Sequence, residues 1–174
     1  MKKTALVCFL ILLLLAPAVV SAFEVLFIGP DNFIRQKSHS DAVIKAASIY
    51  IESWSIDTSF YFFAPVQLPE GAKISSMVVF FMDNQPDCAI KVELFRQNRY
   101  GGTQDTIIPV WTTTDDSATY RTHKLTNVDY SYNKILNNSC TYHVKVRFYT
   151  GESVPDWSAL KLYGIKIFYQ PATT

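Results

Sequence analysis

Charge is scarce in this 174-residue chain. Asp, Glu, Lys and Arg make up 18% of it, and 16 basic against 15 acidic side chains leave a formal net charge of +1. So neutral a chain lacks the concentrated Lys and Arg that bind DNA or RNA phosphates. Disorder is excluded by the 49% apolar content, since a disordered tail needs low hydrophobicity and high net charge. Catalytic signatures are missing too: there is no HExxH and no P-loop, and GESV at 151–154 lacks the second glycine of a nucleophile elbow. His39, His123 and His143 are read as solvent-facing, and none stands at ligand spacing from a cysteine. Asp115-Asp116 reads as a solvated loop. Glu93, which shares a strand face with Lys91, reads as a solvated cross-strand partner rather than half of a hydrolytic carboxylate pair. Asp83, Asn84 and Asp87 offer oxygen ligands in one stretch, but without EF-hand spacing they read as a hairpin turn. The expectation is a non-catalytic protein with no metal and no cofactor.

Long hydrophobic runs are confined to the start. Lys2 and Lys3 precede ALVCFLILLLLAPAVV, Pro17 breaks the run near its end, and Val20-Ser21-Ala22 supplies the small residues of a cleavage site. The run of about 16 residues falls short of the about 20 needed to span a bilayer. Residues 1–22 are therefore expected to be a signal peptide in bacterial style. Residues 23–174 are expected to form one domain, secreted or periplasmic, with no membrane span after cleavage. Losing Lys2 and Lys3 turns 16 basic against 15 acidic into 14 against 15.

Cysteine is nearly absent as well. Cys8 leaves with the leader, so Cys88 and Cys140 remain. Two cysteines in an oxidising compartment usually pair. A Cys88–Cys140 disulfide would close a loop of about 52 residues and contribute up to about 4 kcal/mol on chain-entropy grounds. Each cysteine sits just before an expected strand, so the bond requires both strands to begin at the same end of the sandwich. Adjacent antiparallel partners cannot satisfy that requirement.

What the mature chain has in abundance is alternation with period two. Tyr142, Val144, Val146 and Phe148 point one way, and His143, Lys145, Arg147 and Tyr149 the other. Ile90, Val92 and Leu94 alternate with Lys91, Glu93 and Phe95. MVVFFM at 77–82 is apolar on both faces, as in a central strand covered on each side. The last strand changes phase: Leu160 and Leu162 share a face, but the next apolar residues are Ile165 and Ile167, so a β-bulge is expected at Gly164. LPEG at 68–71, DNQPD at 83–87 and YGG at 100–102 read as turns. DAVIKAASIYIE at 41–52 has the composition of a helix capped by Ser40, though Tyr50 between Ile49 and Ile51 argues for a strand in its second half. Short strands rich in Tyr, Phe and Val indicate an all-β fold, a single antiparallel β-sandwich.

YFFAPVQLPEGAKISSMVVFFMDN, IKVELFR, TYHVKVRFY and LKLYGIKIFY together resemble a group of bacterial secreted β-sandwich domains of unknown function. Those domains share an APVxLPxGAxI motif and a closing LxLYGIxIxY, and the resemblance covers residues 60–96 and 142–169. It implies a jelly-roll-like fold and an exported protein, with no catalytic residue to carry over. Physically, Pro65 and Pro69 remove two amide donors and place Val66–Leu68 at an edge or a sheet crossing, while Gly71 relieves the following turn.

Aromatic residues are the compositional excess. Of 25 rings, 24 survive loss of the leader. Trp54, Trp111 and Trp157 lie near polar sequence, and Tyr100, Tyr120, Tyr130 and Tyr132 are read as lying in loops or at strand ends. Exposed rings stack on sugars and anchor protein interfaces. Trp111 and Trp157 are therefore the candidate ligand-binding residues of an adhesion or binding module whose partner is a glycan or a surface protein. A structural module that assembles with itself is the alternative, and a secreted hydrolase, for which no site is visible, comes third.

Overall fold

Pairing turns this alternation into two sheets. The computed structural model describes residues 22–35, 42–45, 48–51, 59–85, 88–113, 117–150 and 160–172. Among them the strands are β1 (Glu24–Ile28), β2 (Ile34–Arg35), β3 (Ala42–Lys45), β4 (Ser48–Ile51), β5 (Ser59–Val66), β6 (Lys73–Asp83), β7 (Cys88–Asn98), β8 (Gln104–Thr112), β9 (Ser117–Leu125), β10 (Cys140–Thr150) and β11 (Leu160–Gln170). One sheet has the order β3-β4-β11-β6-β9, with β1 also paired to β11. The other has the order β2-β5-β10-β7-β8. The pairings are antiparallel, so the fold is an antiparallel β-sandwich of jelly-roll-like type. Among the described residues no helix is long and apolar enough to cross a membrane.

The inward row of β10, Tyr142, Val144, Val146 and Phe148, is buried and packs with Ile90, Val92 and Leu94 of the neighbouring β7. From the opposite sheet come Ile74, Met77, Val79 and Phe81 of β6 and Leu160, Leu162, Ile165 and Ile167 of β11, all in one core cluster. Each such side chain contributes about 1.5–3 kcal/mol on burial. The bulge is where the alternation requires it. Register slips between Leu162 and Gly164, Gly164 takes φ +144°, and Leu162 and Ile165 both end up fully buried.

The turns follow their glycines. Gly71 at φ +78° donates its amide to the Ile135 carbonyl at 3.0 Å, and Gly102 at φ +66° closes the β7–β8 hairpin onto the Asn98 carbonyl at 3.1 Å. Pro65 pairs with His143 of β10, while β2 reaches only Phe62 and Phe63. Among the described residues, then, Pro65 lies on a locally open edge that needs no amide. Ala42–Lys45 and Ser48–Ile51 are antiparallel partners rather than a helix start: Val43 faces Tyr50 and Ile44 faces Ile49. Residues 115–116, 151–156 and most of DNQPD's second half (86–87) lie outside the described residues.

Two expectations are corrected. Cys88 and Cys140 do not form a disulfide. They lie on adjacent antiparallel strands, with Cys88 opposite Thr150 and Cys140 opposite Asn98. Ten residues at about 3.3 Å each put them about 33 Å apart, whereas a disulfide spans at most about 7 Å between Cα atoms. The sequence shows that each cysteine precedes a strand, but only pairing decides that the two strands run head to tail. Secondly, among the described residues β6 is covered on one face alone: Met77, Val79 and Phe81 are buried, whereas Val78, Phe80 and Met82 are half-buried on the outer face.

Candidate functional site: an aromatic hollow on the six-stranded sheet

That uncovered face carries the site. The Gly164 bulge restores the inward phase for Ile165 and thereby turns Tyr163 and Lys166 outward. Alongside, β1 lies in register with β11, Phe27 opposite Lys166 and Val25 opposite Phe168. Its approach is close. A Cβ at Gly164 would stand 2.8 Å from Phe27 Cζ and 2.9 Å from the Ile28 carbonyl oxygen, so only glycine lets β1 seat here. From the other side, β9 adds Tyr120.

Four rings from four strands then meet. Phe27 stands edge-on to Phe80 with centroids 6.5 Å apart, Phe80 lies 6.0 Å from Tyr120, and Tyr120 lies 5.4 Å from Tyr163. With Lys166 they line an open hollow of about 300 Å³. Lys166 Nζ sits 5.3 Å above the Phe80 ring and covers one of its faces. Phe27 and Tyr120 are 54% and 55% exposed, so each presents ring surface to solvent. The arrangement offers apolar ring faces for stacking, with an ammonium and two phenol hydroxyls as polar partners.

The indoles named from the sequence stand elsewhere. Trp111 is on the inward side of β8, half-buried, 5.2 Å edge-on to Phe81 and stacked at 4.5 Å on His123 of β9. It plugs the gap between the edge strands of the two sheets. Trp157, Trp54 and His39 lie outside the described residues. Tyr100 and Tyr130 are strongly exposed, but at turns away from the hollow.

Several polar groups depart from their expected setting. His143 is not solvent-facing: it is half-buried, stacked at 5.5 Å on Phe95 and hydrogen-bonded to Thr141 Oγ1 at 3.1 Å, and burial lowers its pKa. Glu93 is a cross-strand partner but not a solvated one; it is buried and pairs with Lys145 at 2.7 Å. Asp83 turns inward, accepting hydrogen bonds from the Thr113 hydroxyl and, at 3.3 Å, the Gln85 amide. It ties the end of β6 to the end of β8. Among the described residues no group of three or more His, Cys, Asp or Glu is placed to hold a metal ion.

Of the ring residues, only Tyr120 stood out in the sequence. Phe27, Phe80 and Tyr163 come from segments up to 136 positions apart, and the readable signal was the phase change at Gly164.

No protein-family model matches the sequence, and no curated protein is similar to it in sequence. Among solved structures, the chain is similar to a xylan-binding module, CBM15, at 12% identity and a TM-score of 0.46, over 87% of this chain and 100% of that one. It is similar to a family 35 carbohydrate-binding module from Clostridium thermocellum at 10% identity and a TM-score of 0.45, over 83% and 97%. A family two carbohydrate esterase from Cellvibrio japonicus matches at 11% identity and a TM-score of 0.43, over 88% of this chain but only 36% of the esterase. These are likenesses of a β-sandwich fold, and they carry no residue across.

Proposed function

We propose that the mature chain, 23–174, is an exported, non-catalytic glycan-binding module whose sugar platform is the aromatic hollow on the six-stranded sheet. One observation carries the reading: two rings more than half exposed, Phe27 and Tyr120, flank Phe80 and Tyr163 in an open hollow edged by Lys166. Rings from four strands around a shallow hollow suit a chain lying across the sheet. Trp111 supports the fold in this reading, because its ring is packed on Phe81 and covered by His123. Trp157 is retained as a further ring to test.

The test is binding of the mature chain to a panel of neutral oligosaccharides and polysaccharides, with Phe27→Ala, Tyr120→Ala and Trp157→Ala in parallel. Loss of at least tenfold in affinity on removing Phe27 or Tyr120, with the melting transition retained, supports the platform. Unchanged binding in both variants overturns it.

Self-assembly is the second reading, favoured by one feature. Phe23, Val25 and Phe27 form an exposed row along β1, which among the described residues pairs with β11 alone. A concentration-dependent dimer in sedimentation velocity, abolished by Val25→Lys, would favour it over the glycan platform.

A further inference from the structure

Around the aromatic hollow, the outer face of the six-stranded sheet carries charge of one sign. The strands of that sheet hold two carboxylates, and neither stands on the outer face. Asp83 is buried against the Thr113 hydroxyl. Glu24 lies in the inward phase of β1, opposite Tyr169, whose hydroxyl donates to it at 2.6 Å. Lysines do face outward: Lys161 and Lys166 on β11, and Lys124 on β9, in alternation with the buried Leu160, Leu162, Ile165, Ile167 and Leu125. Chain 23–174 has 14 basic against 15 acidic side chains, so this is a local arrangement and not the sign of the whole chain.

Register puts two of the lysines in one row. Lys166 lies opposite Val78 of β6, and Val78 lies opposite Lys124 of β9. Two strand spacings set their Cα atoms about 10 Å apart. Lys166 Nζ is 5.3 Å from the Phe80 centroid and Lys124 Nζ is 5.9 Å from that of Phe168, so the two heads lean to opposite sides of the row. These rings position the ammonium groups without neutralising them. Among the described residues no carboxylate pairs with Lys124, Lys161 or Lys166. A second copy presenting the same face would meet like charge, which disfavours it as the occupant. The rings line a concavity, which an extended chain fills more fully than the flat surface of a bilayer does.

We propose that the ligand of the hollow is an anionic polysaccharide, stacked on Phe27, Tyr120 and Tyr163, with its carboxylate or sulfate groups on Lys166 and Lys124. The inference rests on the glycan-platform reading and names the class of glycan. An ammonium is a compact charge without the planar fork that singles out a carboxylate, so either anionic group suits it.

The experiment is titration calorimetry of chain 23–174 with two matched pairs: an oligogalacturonate and its carboxyl-reduced counterpart, and dextran sulfate and dextran. Lys166→Gln, Lys124→Gln, Phe27→Ala and Tyr120→Ala are compared with Lys91→Gln, which removes the same charge from the opposite sheet, and thermal melts confirm that each variant is folded. The expected result is at least tenfold tighter binding of the charged member in at least one pair. That binding should weaken at least fivefold in Lys166→Gln and Lys124→Gln, by less than twofold in Lys91→Gln, and on raising salt to 0.5 M. Equal binding of charged and neutral members in both pairs, still lost in Phe27→Ala or Tyr120→Ala, overturns the charge preference and leaves the platform standing. Binding of the charged members that weakens as much in Lys91→Gln as in Lys166→Gln also overturns it, as attraction without a site. Binding indifferent to both ring variants removes the platform and this proposal together. So does binding to phosphatidylglycerol vesicles with none to any of the four saccharides, which makes the face a membrane surface.

Discussion

Replacing Gly164 by alanine tests the link between the bulge and the aromatic hollow. Gly164 sits at φ +144°, where an L side chain is strained at a cost of about 1–3 kcal/mol. The added methyl would also stand 2.8 Å from Phe27 Cζ and 2.9 Å from the Ile28 carbonyl oxygen. The Phe27 ring can swing away, but the carbonyl is backbone, so β1 must shift off β11 or the bulge must flatten. Overpacking of this kind typically adds about 1–3 kcal/mol. Together these give a destabilisation of about 2–6 kcal/mol, or a fall in Tm of about 4–24 °C for a domain of this size. The assay is thermal and denaturant unfolding of Gly164→Ala beside Gly101→Ala, whose added methyl would approach nothing closer than Thr103 Oγ1 at 4.0 Å. Gly101→Ala should lie within about 0.5 kcal/mol of the parent. A Gly164→Ala variant as stable as Gly101→Ala would refute the reasoning, because neither strain nor contact would then operate at the bulge.

Burial lowers the His143 pKa below its ordinary value of 6.5, so the unfolded chain takes up that proton more readily than the folded one. Stability should fall as pH drops from about 6.5 toward the folded value, and His143→Gln should flatten that part of the denaturation profile. Thr113→Val removes the hydroxyl that donates to buried Asp83 and accepts the Ile90 amide at 2.9 Å, and should cost about 2–4 kcal/mol in urea unfolding. With the cysteines at opposite ends of paired strands, denatured, unreduced chain 23–174 should titrate two thiols, and dithiothreitol should leave its Tm unchanged.

Local patterns were legible where a single strand carries its own evidence. The alternation in β10, the turns at Gly71 and Gly102, and the strand over Ser48–Ile51 each follow from nearest-neighbour chemistry. So does the bulge, because Leu162 and Ile165 cannot both reach the core without an extra residue. The aromatic hollow was not legible. Its rings come from β1, β6, β9 and β11, and nothing in FIGP, VVFFM or ATYR says that those strands are neighbours. Exposure misled in both directions: Trp111 lies near polar sequence yet points between the sheets, while Phe80 lies in an apolar run yet faces outward.

By itself, then, the sequence determined an all-β chain, the inward face of its best strands and the place of its bulge, because a strand's two-residue period ties each side chain to a face without reference to any partner. Which strands pair, and in which direction, is set by packing between segments far apart along the chain. Only the tertiary structure could therefore part Cys88 from Cys140, bury Glu93 against Lys145 and gather the four rings of the hollow.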